Sequence, residues 1–320
     1  MLERVPQRSE GYTLDLDSTV FERYGKQQGA LKGYNPKKRG RPSHHPLLAV
    51  FAEARFVVHG WLRSGKCSSA RGVVEFLKEA IALLDGRHRI RMVRADSGFF
   101  ENKLLSFLED LCLQYIVVTR FTYSIKKELG QIGVWKELDP IYAVGEFRRK
   151  LHGWERERRF VVVREPLSPK PSPGRRLFDI PEYTFRVFVT SRSDEPEEIW
   201  REYNLRGDVE NRIAELKYDL AADDFCMHEF FPTEAAFRAI LLLFNLLSDF
   251  QRVIGMTKHR RPATLRVTVF LRGAILGRAG HRQVVHMSAD GGGLKKRIIL
   301  FEKILSNVFP TSPKLAPEPC

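Results

Sequence analysis

Of the 320 residues, 53 are Lys or Arg and 39 are Asp or Glu, a formal net charge of +14, while 43% are hydrophobic and 29% charged. Such a composition buries a core and excludes bulk disorder, and the positive excess points to a polyanionic partner, most simply nucleic acid. The opening MLERVPQRSE lacks the apolar run of a signal peptide, residues 239–247 fall short of the ~20 needed to cross a bilayer, and Cys67, Cys112, Cys226 and Cys320 form no CxxC pair. A cytoplasmic protein without membrane contact is expected, with reduced thiols, three of them buried.

Residues 12–20 alternate, Leu14 and Leu16 on one side and Asp15 and Asp17 on the other, which predicts a strand. The segment 32–41 holds five basic residues and no acid. A hairpin or strand pair is expected over 45–62 and a helix over 68–84. A strand at 90–95 runs into Asp96, Ser97 and Gly98; a helix over 102–113 and a buried strand over 115–119 follow. This order argues for an α/β core with a mixed sheet. From 135 to 192 the pattern changes to short β-like runs around Pro166, Pro169, Pro171, Pro173 and Pro181, which forbid regular helix. An insertion domain on stiff linkers is expected there, and residues 146–176 carry ten basic and four acidic residues. Helical patterning returns over 197–220 and 233–254. Residues 251–289 hold eight Lys or Arg and no acid. His44 and His45 read as a surface pair, Gly291 to Gly293 as a hinge before a short terminal helix, and the tail from Pro310 as disordered.

Three groups of residues bear chemistry. Tyr203, Arg206, Glu210 and Lys217 fall on one side of a continuous helix at ~100° per residue; ordinary ion pairs on a solvated face are the competing explanation. Asp96 ends a strand before a turn glycine, where ligands of open α/β sheets collect, although a helix-capping role fits equally. Asp15 and Asp17 lie within a strand that should be central, where a charge is expensive unless paired or metal-bound; an edge strand with one wet face is the alternative. Converging carboxylates repel and raise one another's pKa, and divalent metal relieves the repulsion. Two Mg²⁺ ions held by such acids suit phosphodiester cleavage, with Arg206 and Lys217 free to hold phosphate.

With every interval intact, Tyr203, Arg206, Glu210 and Lys217 match a Y-(2)-R-(3)-E-(6)-K signature. Together with LDLDST, GYNPKKRGRPSHHPLLAVFAEAR, RADSGFF and FPTEAAFRAILLLFNLL, they make the chain resemble the DDE transposases of bacterial insertion sequences, in particular transposase DDE domain group one, over residues 13–282. The resemblance implies a ribonuclease-H-like mixed sheet with flanking helices and a β-rich insertion domain. It divides the chain into a first core part at 12–120, an insertion at 121–192, completion of the core at 193–255 and a basic C-terminal region at 256–320. It implies catalytic, metal-binding roles for Asp17, Asp96 and Glu210, with Asp15 competing for the role of Asp17, and two Mg²⁺ ions for which Mn²⁺ can substitute.

Tyr203, Arg206 and Lys217 would then contact phosphates near the cleaved end. Lys37, Lys38, Arg39, Arg148 and Arg149 are further DNA-binding candidates, and Trp154 or Trp135 could stack on a flipped base unless core packing claims them. Implied partners are double-stranded DNA, as transposon end and target, and a second copy in a synaptic homodimer at the bacterial nucleoid. Only sixteen residues precede Asp17, so an N-terminally truncated form is expected. A catalytically silent DNA-binding remnant is the competing reading, and a stand-alone structure-selective nuclease a weaker third.

Overall fold

The structure, a computed structural model, describes residues 1–35, 38–166, 183–271, 273–287 and 294–308. Its centre is β1 (Tyr12–Ser18), followed by three short strands, β2 (Phe21–Glu22), β3 (Leu31–Lys32) and β4 (Pro42–His44), which form a small sheet in the order β2-β4-β3. A hairpin of β5 (Leu47–Phe51) and β6 (Phe56–Trp61) leads to α1 (Val73–Leu84), β7 (Ile90–Ala95), α2 (Asn102–Asp110), β8 (Gln114–Val118) and α3 (Tyr123–Leu129). Strand β5 pairs antiparallel with β1 and β6, whereas β1, β7 and β8 run parallel to one another. The resulting order β6-β5-β1-β7-β8 is the ribonuclease-H-like mixed sheet that the motifs implied.

The described residues of 121–192 are β-rich, and their strands pair into the core sheet and not into a separate one. Strands β9 (Lys136–Glu137), β10 (Ala143–Arg149), β11 (Arg158–Pro166) and β12 (Tyr183–Thr190) extend the core sheet, with β12 antiparallel to β8, to nine strands ending β8-β12-β11-β10-β9. Uninterrupted apolar runs such as Phe160 to Val163, buried on both faces, are what a strand inside a large covered sheet requires. Pro166 closes β11, and the stretch bearing the other four prolines lies outside the described residues.

Helices α4 (Pro196–Asn204) and α5 (Gly207–Ala214), a π-helical turn at Glu215–Asp219 and α6 (Phe230–Val253) complete the cover. A basic segment with α7 (Pro262–Leu265), a hairpin of β13 (Ala274–Ala279) and β14 (Arg282–Met287), and α8 (Leu294–Val308) follow. The Gly291 hinge and the tail from Pro310 lie outside the described residues.

The alternation of β1 decides where the site falls. Leu14 and Leu16 join α1 and α2 in one core layer. The opposite face is split: Leu48 and Val50 of β5 pack under Phe237, Leu241 and Phe244 of α6, while Met92 of β7 and Ile116 of β8 pack under Ile199 and Tyr203 of α4. Asp15 and Asp17 occupy the seam between those apolar patches, 1% and 7% exposed. The strand is therefore central, and a wet edge is ruled out.

Three surface expectations need correction. His44 and His45 are buried: His44 joins Arg23 and the Gln28 carbonyl, His45 joins Ser43 and the Cys67 carbonyl, and burial lowers the pKa of both. Cys112 and Cys226 are exposed and Cys67 half-buried, because none of them falls on an inward stripe. Helix α6 is, by length and composition, long and apolar enough to cross a membrane, since it begins well before residue 239. Here it lies on β6, and Asn245 both accepts from the Val57 N–H and donates to its carbonyl at 2.8 Å.

Candidate active site

Two acids meet at the carboxyl ends of parallel strands. The register places Leu16 opposite Ala95, so Asp17 near the end of β1 and Asp96 just past β7 arrive side by side. Asp96 caps the turn Ser97–Phe99, its Oδ1 accepting the Gly98 N–H at 2.8 Å, while Arg120 donates to the Ser97 and Gly98 carbonyls. Gly98 is required there, because a Cβ would lie 2.6 Å from Ser69 Oγ and 2.9 Å from Asp96 Oδ1. The capping and catalytic readings of Asp96 are thus compatible: the cap fixes one oxygen and leaves the other.

Asp17 accepts the Ser18 N–H at 2.6 Å and pairs with Arg206 at 3.1 Å. Burial pushes its carboxyl up to about 6; Arg206 and Ser18 pull it down, and the charges of Asp96 and Glu210 both push it further up. The charges of Asp96 and Glu210 are thus both felt at Asp17, that of Asp96 the more strongly. Asp15 plays a different part. Arg94 grips it with two hydrogen bonds of 2.7 and 2.9 Å and also donates to the Glu202 carbonyl at the end of α4. Burial pushes the Asp15 carboxyl up, against the pull of Arg94. With both oxygens engaged by a buried guanidinium, Asp15 is a strut between β1, β7 and α4, whereas Asp17 meets its guanidinium through one oxygen only and is the less encumbered acid.

The continuous helix expected over 197–220 is interrupted. Helix α4 stops at Asn204, the chain turns through Leu205 and Arg206 with i to i−3 bonds, α5 starts at Gly207, and a π-turn follows it. Gly207 is a weak helix former, and Arg206 gains by turning inward, where it is 5% exposed and donates to the Leu16 carbonyl at 2.9 Å. Burial works to lower its pKa, but Asp17, Tyr203, Asp96 and Asp15 outweigh it and the net shift is upward. Its Nε is buried and has no partner.

Tyr203 packs on Phe188 at 4.8 Å, and burial raises its phenol. Lys217 reaches the Val20 carbonyl at 2.9 Å and lies 3.6 Å from Asp223. By way of a broken helix, Arg206 and Lys217 reach the end of β1 and Tyr203 packs on the sheet beside it, while Glu210 stays exposed on α5.

Around them lies a network that sequence reasoning missed. Arg212 donates to the Phe51 and Ala52 carbonyls and pairs with Asp208; Arg55 bridges Asp208 at 2.9 Å and Glu215 at 3.0 Å; His259 Nε2 lies 3.0 Å from Glu215. The i, i+4 spacing of Asp208 and Arg212 was the available signal.

Other candidates are spread apart. Trp154 is half-buried against Phe100 with Arg158 over its ring at 4.6 Å, and Trp135 carries Arg164 at 4.3 Å. Arg148 and Arg149 end β10, Arg149 lying 3.4 Å from Glu128. Lys38 bonds Glu22 and Tyr24 in the turn before β4, Arg39 beside it is exposed, and Lys37 lies outside the described residues.

The donor set suits a hard divalent cation. Among the described residues no three His, Cys, Asp or Glu side chains stand close enough to hold a metal ion together, so the acids share a field and not a closed cage. Magnesium commonly uses one or two carboxylates, with water and substrate phosphate completing its shell. The pair at the strand ends, with the Asp17 carboxyl pushed up by burial and by the charge of Asp96, fits that mode.

A ribonuclease-H-like sheet with acids at adjoining strand ends defines a class of nucleic-acid phosphoryl-transfer folds. Within it, the chain belongs to the transposase DDE domain group 1 family, whose model matches residues 1–299. No curated protein matches it. Among solved structures it is similar to a piggyBac transposase in a synaptic complex with hairpin DNA, at 14% identity and a TM-score of 0.46, over 80% of this chain and 51% of the other. The chain therefore spans about half the length of that transposase.

Proposed function

We propose that the chain is a DNA transposase that cleaves phosphodiesters at transposon ends and joins the freed 3′-hydroxyl to target DNA, with Asp17, Asp96 and Glu210 as catalytic, metal-holding acids. The observation that carries this reading is the parallel register of β1 and β7, which sets the buried Asp17 beside Asp96 at adjoining strand ends; burial pushes the Asp17 carboxyl up to about 6, and the charges of Asp96 and Glu210 add to that rise. Two Mg²⁺ ions, or Mn²⁺ in their place, would activate the attacking water or hydroxyl and steady the leaving oxygen. Asp96, through the oxygen its cap leaves free, and Asp17, in place of its contact with Arg206, would hold the cations. Arg206, whose Nε has no acceptor in the fold, and Lys217 turn to the scissile phosphate, and Tyr203 keeps α4 against the sheet. Double-stranded DNA is the substrate, as end and as target, in a synaptic homodimer acting at the nucleoid in the cytoplasm. The positive charge of the chain holds the duplex.

Asp17→Asn, Asp96→Asn and Glu210→Gln are each expected to abolish Mg²⁺-dependent nicking of end DNA while duplex binding stays nearly intact; loss of binding instead removes the catalytic assignment. A second reading, a silent DNA-binding remnant, is favoured by the Asp17–Arg206 pair, which already neutralises the central acid. Metal-dependent nicking by the purified chain excludes it.

A further inference from the structure

The loop between β6 and α1, residues 62–72, was assigned no role by the motifs, yet it touches both strand ends of the site. From 54 to 74 the chain holds Arg55, Arg63, Lys66 and Arg71 and no acid. Arg63, 6% exposed, holds the loop in shape by donating to the carbonyls of Ser68, Ser69 and Arg71, and its other nitrogens reach the His45 carbonyl and Ser18 Oγ. Every acceptor is neutral, so the buried guanidinium keeps its charge uncompensated one residue from Asp17, and burial lowers its pKa to about 10. A buried cation without a counter-ion is expensive, and a nearby anion lowers that cost.

The second contact is made by Ser69, which lies so close to Gly98 that a Cβ at 98 could not be accommodated beside it. At the base of the loop, Gly65 presses on the small sheet, where a Cβ would meet the Leu31 and Ser43 carbonyls at 2.2 Å. Held at both ends, the loop presents Lys66 and Arg71 to solvent, and neither has an ion-pair partner among the described residues.

We propose that residues 62–72 form a second phosphate-binding wall of the site, with Lys66 and Arg71 gripping the backbone of the DNA strand whose phosphodiester lies over Asp17 and Asp96. This rests on the function proposed above and adds a surface beside the Ser97–Gly98 turn that Ser69 adjoins. Exposed cations on a loop held at both ends fix strand register and carry no sequence information.

The test uses the full chain and a duplex with a thiol tether, capped as a mixed disulfide, beside the phosphate to be cut. Cys67, half-buried in this loop, should exchange onto the tether; Cys67→Ser should lose the trapped species, and Cys112→Ser and Cys226→Ser should keep it. Lys66→Gln and Arg71→Gln should each reduce the slope of log Kd against log salt by ~0.9, and the double variant by about twice that. An unchanged slope in the double variant, or equal trapping in Cys67→Ser, overturns the loop assignment. Asp96→Asn run alongside separates the two ideas: if it still nicks, the catalytic reading falls; if it stops nicking while the slopes do not move, only the loop assignment falls.

Discussion

Replacing Asp17 by Asn should make the metal-free protein more stable, by an amount that depends on pH. In an unfolded chain an Asp titrates near ~3.9, whereas in the fold Asp17 is pushed up to about 6. Well below the unfolded value both states hold the proton, and wild type and variant should match. As the pH rises the unfolded chain releases its proton first, and the folded state follows only near 6, so stability is lost across that window. Two units at ~1.4 kcal/mol each put the loss at ~3 kcal/mol, complete by neutral pH. Asn keeps the shape of the protonated acid and escapes the loss. Urea denaturation of both proteins near pH 4 and near pH 8 measures the difference, and adding Mg²⁺ at the higher pH should stabilise wild type alone. Should the variant prove less stable than wild type near pH 8 without metal, Asp17 is a settled partner of Arg206 and the idea of a carboxylate held ready for a cation fails.

Removing either member of the Asp15–Arg94 pair should be costly. Asp15→Ala or Arg94→Ala leaves a buried charge without its partner and should cost ~3–5 kcal/mol in urea titrations at neutral pH. Lys217→Gln should flatten the salt dependence of end-DNA binding by about one phosphate, and an unchanged slope would confine Lys217 to its Val20 contact. Asn245→Leu leaves the Val57 N–H and carbonyl without their partner and should destabilise by ~1–3 kcal/mol for each group, read as a lowered denaturation midpoint with nicking retained in the folded fraction.

Much of this arrangement was legible along the chain, and the parts that were not share a cause. The alternation of Leu14, Asp15, Leu16 and Asp17 gave the strand, and the apolar stripes gave α1 and α2, because burial of one face leaves a local trace. Which acid stays open is a tertiary matter: Asp15 and Asp17 look alike until Arg94, 79 residues away, closes its fork on one of them. The break at Arg206 was hidden for a related reason. Local periodicity favours one helix through 197–220; Gly207 weakens it only at one point, and the pull of Leu16 and Asp17 on the Arg206 guanidinium turns the chain there. His44 and His45 seemed destined for the surface because their hydrogen-bond partners, Gln28 and the Cys67 carbonyl, lie in other segments. The strands of 121–192 could be read as β but not placed, since nothing local tells a strand whether it pairs with its own hairpin or with β8.

That last pairing has a mechanical consequence. The rungs Phe188 to Val118, Val189 to Val117 and Thr190 to Ile116 weld the outer arm to β8, which lies directly beside β7. Among the described residues the two halves of the sheet are joined by continuous strand pairing. A load on the arm, where Arg148 and Arg149 end β10, would pass through those crossbars to β7, the strand that leads into Asp96.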